Sequence, residues 1–118
     1  MALQACNFDE PDETRTFEHG RADIVKPGSV VAGRSTLEPG WRWSTSVGPI
    51  ARTESCQESH VGYVVTDRLH LRMDDGTDRE LRPGDAVVIP PGHDAWVVGD
   101  EPCVVLDFAG AERYALPG

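Results

Sequence analysis

A chain of 118 residues with 20 acidic and 11 basic side chains, net charge −9, holds one domain's worth of sequence. Burying about 65% of its unfolded surface suffices for stability without disulfides. The charge argues against nucleic acid and anionic membranes as partners, because both are bound through Lys/Arg patches that displace counterions. Three scattered cysteines, Cys6, Cys56 and Cys103, fit neither a disulfide framework nor a paired C-x-x-C zinc site. With no signal-peptide pattern and no apolar run near the ~18 residues of a membrane span, a reducing, cytoplasmic setting is expected.

Residues 1–16 are polar and acidic, with the cluster Asp9, Glu10, Pro11, Asp12, Glu13, and are expected to form a loosely ordered N-terminal arm able to reach a neighbouring subunit. From Ile24 onward short β-rich runs alternate with turn signals: Ile24-Val25 before Lys26-Pro27-Gly28, Val30 to Leu37 before Glu38-Pro39-Gly40, and Trp41 to Val47 before Gly48-Pro49. No 3.6-residue period persists long enough to predict a helix. Trp41 and Trp43 flank Arg42 on the third of these runs, and both rings are expected in the core or an interface. Further strands are predicted over Val61–Thr66, Leu69–Met73, Arg79–Leu81, Ala86–Ile89, Ala95–Val98 and Val104–Phe108. Asp74-Asp75-Gly76 reads as a hairpin turn, because Asp-Gly tolerates positive φ, and Arg82-Pro83-Gly84-Asp85 as a second turn. Pro90-Pro91-Gly92 places its strand near an edge or bend, since neither proline can donate to a ladder. The fold class is all-β, with a barrel or sandwich over 17–110 and a tail over 111–118.

Side chains two apart on a strand share a face. An extended segment would therefore align Glu54, Cys56, Glu58, His60, Gly62 and Val64 on one side, opposite Val61, Tyr63 and Val65. In the later strand His93 and Ala95 share one face, Asp94 and Trp96 the other. Cys103 is expected to be buried and inert. Asp94 is left to orient His93 or to cap a turn.

From Gly48 to Gly99 the spacing resembles the cupin family, whose two motifs are G(X)5HXH(X)3,4E(X)6G and G(X)5PXG(X)2H(X)3N. The first falls on Gly48, Glu54, Cys56, His60 and Asp67, and the second on Gly84, Pro90, Gly92, Ala95 and Gly99. The run Gly-Asp-Ala-Val-Val-Ile-Pro-Pro-Gly is a cupin-like signature, and the residues around Gly62-Tyr63-Val64 and Pro91 to Trp96 are similar to small bacterial cupin-domain proteins without a settled activity. The resemblance implies a double-stranded β-helix, the jelly-roll barrel, and homodimerisation, which open sheet edges and the Trp-rich early strands also favour.

In metal-binding cupins the four motif positions, two histidines and a glutamate followed by a later histidine, hold one divalent ion. Here they read Glu54, Cys56, His60 and Ala95, and His93 lies one inward-facing step before Ala95. The expected ligand set is Glu54, Cys56, His60 and His93, whose mixed O, S and N donors favour zinc over redox-active Mn or Fe. Tyr63, His70 and Trp96 are candidate pocket residues. Asp67 at the last position of the first motif still allows a left-handed turn, at some cost. The favoured function is a small-molecule-binding or sensing barrel. The alternative is a metal-dependent, non-redox hydrolase or isomerase acting on a small polar metabolite.

Overall fold

The computed structural model describes residues 2–118. Nine strands run in the order β1 (Glu13–Phe17), β2 (Gly20–Val25), β3 (Ala32–Leu37), β4 (His60–Thr66), β5 (Leu69–Met73), β6 (Asp78–Leu81), β7 (Ala86–Ile89), β8 (His93–Val97) and β9 (Cys103–Ala109). Two single-turn helices, α1 (Trp43–Ser46) and α2 (Gly48–Ala51), lie between β3 and β4. All strand pairings are antiparallel. They make a six-stranded sheet, β1-β2-β3-β9-β4-β7, and a three-stranded sheet, β6-β5-β8.

The core lies between the two sheets. Alternation sends Leu69 and Leu71 of β5, Leu81 of β6 and Ala95 of β8 inward from the smaller sheet to meet Leu37, Val64, Ile89 and Cys103 from the larger one. Burying one such aliphatic side chain contributes roughly 1.5–3 kcal/mol, so this inner layer dominates stability. Trp41, Trp43 and Val47 close one side of it.

Two expectations change here. The run Trp41–Val47, predicted as a strand, turns into α1 after Arg42, because Trp43 and Val47 stand one helical turn apart and bury on one face, with Val47 N–H donating to Trp43 O at 2.8 Å. Asp94 supports that turn: its carboxylate accepts from the Ser44 N–H at 3.0 Å, from the Ser44 hydroxyl at 2.8 Å and from Arg42 Nε at 3.1 Å. The Asp94 alternatives thus resolve toward the turn.

The second change concerns the arm over 1–16. Its last residues form edge strand β1, registered against β2 from Glu13↔Ile24 to Phe17↔Gly20. Ahead of it, Arg34 donates to Asp9 Oδ1 at 2.8 Å and to the Phe8 carbonyl at 3.2 Å, and Gln4 Oε1 accepts the Gly28 N–H at 2.8 Å. Acidic composition alone hides these partners, since they sit on distant parts of the chain.

The tail over 111–118 packs onto the barrel. Arg15, buried on β1, donates to the carbonyls of Ala111 and Tyr114 at 2.8 Å each and of Glu112 at 3.3 Å, while Glu13 balances its charge at 2.9 Å. Tyr114 meets Phe17 edge to face at 5.7 Å. The turn chemistry follows expectation elsewhere: Gly92 adopts φ +89° after the double proline, and Asp67 takes φ +59° between β4 and β5.

Candidate metal centre

After α2 the chain leaves through Arg52 in the left-handed region, φ +65°, and comes back to the barrel wall at Cys56. There Cys56 N–H donates to His93 O and Gly92 N–H to Cys56 O, both at 2.7 Å, an isolated bridge that sets the thiol beside His93 at the start of β8. His60, first residue of β4, completes a buried group in which Cys56 Sγ and one ring nitrogen from each histidine lie within 4.8 Å of one another.

The two imidazoles are held by their Nδ1 atoms. His60 Nδ1 is 2.6 Å from Asp107 Oδ2, and His93 Nδ1 is 2.7 Å from the Pro90 carbonyl oxygen. A carbonyl or carboxylate oxygen accepts only, so each Nδ1 carries the proton and each Nε2 is the coordinating atom. His60 Nε2 faces Cys56 Sγ at 3.5 Å. Zinc–sulfur and zinc–nitrogen bonds of about 2.3 and 2.0–2.1 Å at a tetrahedral angle span an edge of about 3.5 Å, so the spacing fits that ion. A carboxylate behind a ligating histidine is also the arrangement that fixes its tautomer and raises its basicity.

Asp107 reaches His60 because of a glycine. The β4–β9 register shifts between Val61 and Gly62, and Gly62 pairs with Asp107. A Cβ at Gly62 would stand 2.7 Å from the Leu106 carbonyl oxygen, so only glycine allows β9 this close.

Electrostatics bind the cluster together. Burial pushes the Cys56 thiol up, but hydrogen bonds from His60 and His93 with the charge of His93 outweigh it and bring its pKa down to about 7. Burial likewise opposes charge on His60, yet the hydrogen bonds to Asp107 and Cys56 and their negative charge raise it to about 9. Burial keeps Tyr114 a neutral phenol, reinforced by the nearby charge of Cys56 and Asp107. Cys103 is inert for the same first reason, pushed up to about 12 by burial and then by the Asp67 charge.

His60 and His93 face a cavity of about 70 Å³ inside the barrel, walled by hydrocarbon and indole from residues including Leu37, Trp41, Trp43, Leu69, Leu81 and Ile89. Its polar atoms come from Ser35, His60, His93, Asp107 and Tyr114, and no Lys or Arg lines it. Cys56 borders a second cavity of about 170 Å³ beneath the C-terminal residues, and Trp43 and Tyr114 line both.

Of the expected ligands, the structure brings Cys56, His60 and His93 together and leaves Glu54 exposed on the loop after α2, outside the group. That loop is not extended: Gly48 to Ala51 is helical and β4 begins only at His60, so the alternation that aligned Glu54 with Cys56 does not hold. His93 and Ala95 do share the inward face of β8, both buried. None of the three expected pocket residues lines the barrel cavity. Tyr63 projects from the outer face of β4, because its neighbours Gly62 and Val64 take the inward positions. His70 and Trp96 stack on each other outside the smaller sheet, centroids 4.6 Å apart, with Arg42 and Arg72 over the indole at 4.4 and 5.2 Å.

Asp107 and Tyr114 were not anticipated. Asp107 carried a signal: in Cys103-Val104-Val105-Leu106-Asp107 it occupies the inward register of Cys103 and Val105, a carboxylate where an aliphatic residue is expected. Tyr114 carried none, since it lies in an aperiodic tail.

No protein-family model matches the sequence, and no curated protein matches it. Solved structures resemble its fold. The polyketide cyclase RemF from Streptomyces resistomycificus superposes with a TM-score of 0.67 at 16% identity, over 94% of this chain and 81% of that one. An RmlC-like cupin from Shewanella frigidimarina gives 0.57 at 19% identity, over 92% and 95%. An oxalate decarboxylase from Lactobacillus farciminis gives 0.61 at 19% identity over 86% of this chain, which spans 32% of that protein's length. Among the described residues no helix is long and apolar enough to cross a membrane. Two antiparallel sheets closed on a shared interior superpose on solved cupin barrels, and this chain has the cupin fold.

Proposed function

We propose that the protein is a small-molecule-binding barrel built on a divalent-metal centre, with Cys56, His60 and His93 as ligands and zinc as the ion. The observation that carries this reading is the 3.5 Å Sγ–Nε2 spacing in a buried group whose two imidazoles are both locked at Nδ1. When bound, the ion would supply Lewis acidity and a fixed charge at the cavity. This chain's residues orient it: Asp107 holds His60, the Pro90 carbonyl holds His93, and the Cys56–His93 bridge sets the thiol. Elemental analysis of the purified protein should find close to one zinc per chain. Cys56→Ser, His60→Ala and His93→Ala should each lower it, and unchanged content in all three would refute the site.

The second reading, a metal-dependent non-redox hydrolase or isomerase, gains from the number of ligands. Three protein ligands beside a cavity resemble catalytic zinc sites, whereas structural sites close with four. Against it, the one carboxylate lining the cavity, Asp107, is already committed to His60. The cavity also narrows the substrate from a polar metabolite to a mostly apolar one, because its walls offer a sugar or phosphate few partners and no cation. Turnover of apolar esters or ketones by the zinc-loaded protein, lost in His93→Ala, would favour the enzyme.

A homodimer is part of the proposal. Val61, Tyr63, Val88 and Phe108 form an exposed apolar face over β4, β7 and β9, with Val88 73% and Phe108 52% exposed. Sedimentation at micromolar concentration should show a dimer that Phe108→Asp dissociates, and a monomeric wild type would reject it.

A further inference from the structure

The three residues of the cluster are nearly sealed: Cys56 is 2% exposed, His93 3% and His60 8%. An ion or a reagent reaches them only when part of their cover opens. Strands β4, β8 and β9 are held in ladders. The loop that carries Cys56 is tied down by its backbone bonds with Gly92 and His93, and by Ser55 Oγ donating to Asp74 Oδ2 at 2.9 Å. What remains is residues 111–118. From Arg113 to Gly118 they line one side of the cavity of about 170 Å³ that Cys56 borders, and Tyr114 also lines the barrel cavity.

This segment is attached in few places. Beyond β9 its one backbone–backbone hydrogen bond, among the described residues, is internal, from the Leu116 N–H to the Arg113 carbonyl at 3.2 Å. Three of its carbonyls, those of Ala111, Glu112 and Tyr114, depend on the single side chain of Arg15. Tyr114 rests its ring edge to face against Phe17 and His60, at 5.7 and 6.1 Å. The Arg113–Glu58 pair, 3.5 Å apart and open to water, adds little. Ala115 is held at φ +59°, a left-handed conformation unfavourable for a residue with a side chain, so closure carries strain. Just ahead, Gly110 turns the chain at φ +99°, where a Cβ would collide with the Ser59 carbonyl oxygen. A segment with few backbone bonds, one latch and a glycine at its base belongs to the low-stability end of a fold, which opens without global unfolding.

We propose that residues 111–118 are a gate over the Cys56 side of the cluster, hinged at Gly110 and latched by Arg15, whose opening admits solvent and the metal ion to Cys56. The ion's passage rests on the metal reading above; exposure of the thiol does not.

The test is alkylation of the metal-free full chain with iodoacetamide, followed cysteine by cysteine through peptide mass spectrometry at rising urea below the unfolding transition. Exposed Cys6 labels first and reports the reagent; Cys103, fully buried in β9, reports global unfolding. Gate opening exposes little surface, so the Cys56 rate should stay nearly flat in urea while that of Cys103 climbs. A Cys56 rate that climbs as steeply as that of Cys103 overturns the gate. Arg15→Met, shown folded by a urea melt, should label at Cys56 about 10–100-fold faster, the effect of losing buried hydrogen bonds to a charged donor. An unchanged rate would mean that the loop over 52–59 opens instead, and also overturns it. Should that variant not fold, the wild-type urea comparison decides. Zinc release from the loaded protein into excess chelator should accelerate in Arg15→Met as labelling does; faster labelling with unchanged release refutes the ion's route. A chain that binds no zinc refutes the metal reading, and the labelling rates still decide the gate.

Discussion

Replacing Asp107 with Asn tests whether the carboxylate behind His60 serves the metal centre or only the fold. Asn is nearly isosteric, and its amide oxygen can still accept from His60 Nδ1 across the 2.6 Å contact, so packing and tautomer survive while the negative charge does not. The Ala109 N–H, which donates to Asp107 Oδ1 at 3.2 Å, loses an ionic acceptor as well. Outer-shell partners of ligating histidines change metal affinity by roughly 10–100-fold, which corresponds to about 1.4–2.7 kcal/mol. Asp107→Asn is placed near the lower figure because the hydrogen bond persists, and Asp107→Ala near the upper because it does not. Competition with a chromophoric chelator at fixed pH measures the zinc affinity, and far-UV circular dichroism with a urea melt confirms that each variant is folded. Equal affinity in wild type, Asp107→Asn and Asp107→Ala, with folding intact, would refute the positioning role and weaken the case that His60 binds metal at all.

Other expectations follow from single contacts. In the metal-free protein, Cys56 with its pKa lowered to about 7 contributes stability that is present above the unfolded value of 9.0 and is lost as pH falls through 7; His60, raised to about 9, contributes stability present below 6.5 and lost as pH rises through 9. Their thiolate–imidazolium pair therefore exists between about pH 7 and 9, and the stability advantage of metal-free wild type over Cys56→Ser should peak in that window in urea titrations; a flat difference from pH 6 to 10 would contradict it. Gly62→Ala puts a methyl 2.7 Å from a backbone oxygen that cannot swing away, so it should destabilise by about 1–3 kcal/mol and reduce zinc affinity by displacing Asp107, as a denaturation curve and the same chelator assay would show. Arg15→Met removes the donor to three C-terminal carbonyls while keeping an unbranched apolar side chain; a loss of about 2–3 kcal/mol and faster proteolysis after Ala111 are expected, and a tail as protected as in wild type would count against the latch.

The fold was legible because turn chemistry is local. Asp75-Gly76, Pro83-Gly84 and Pro91-Gly92 each specify backbone angles within two residues, and the strands between them, β5 through β9, lie within one or two residues of where alternation places them. The failures share a cause: the deciding partner lies far along the chain. β1 is held by Arg15's contacts with carbonyls nearly a hundred residues later, and α1 by Asp94. The site divides the same way. Cys56 and His60 stood on the motif grid and His93 one inward step before its Ala95 position, whereas Glu54 fell out because the backbone between α2 and β4 is irregular, and the inward or outward sense of Tyr63, His70 and Trp96 depended on which alternate face each sheet buries.

The chemistry of the cluster follows from one substitution in the motif grid. Where the cupin pattern has histidine, this chain has Cys56, and a thiol makes the site two things at once. Beside His60 Nε2 at 3.5 Å it is half of an ion pair, and at the same distance it spans one edge of a zinc tetrahedron. Both states need the same scaffold: Nδ1 of His60 donating to Asp107, and Nδ1 of His93 donating to the Pro90 carbonyl. The proton shared by Sγ and Nε2 and a divalent ion compete for the same lone pairs, so zinc binding must release protons. How many it releases depends on the resting state. Below pH 7, where the thiol and His60 are both protonated, uptake should free about two protons, and between pH 7 and 9 about one, because the thiolate is already formed. Calorimetry in buffers of different ionisation enthalpy counts them. A proton count that does not fall as pH rises through 7 would refute the thiolate–imidazolium pair as the resting state of the metal-free site.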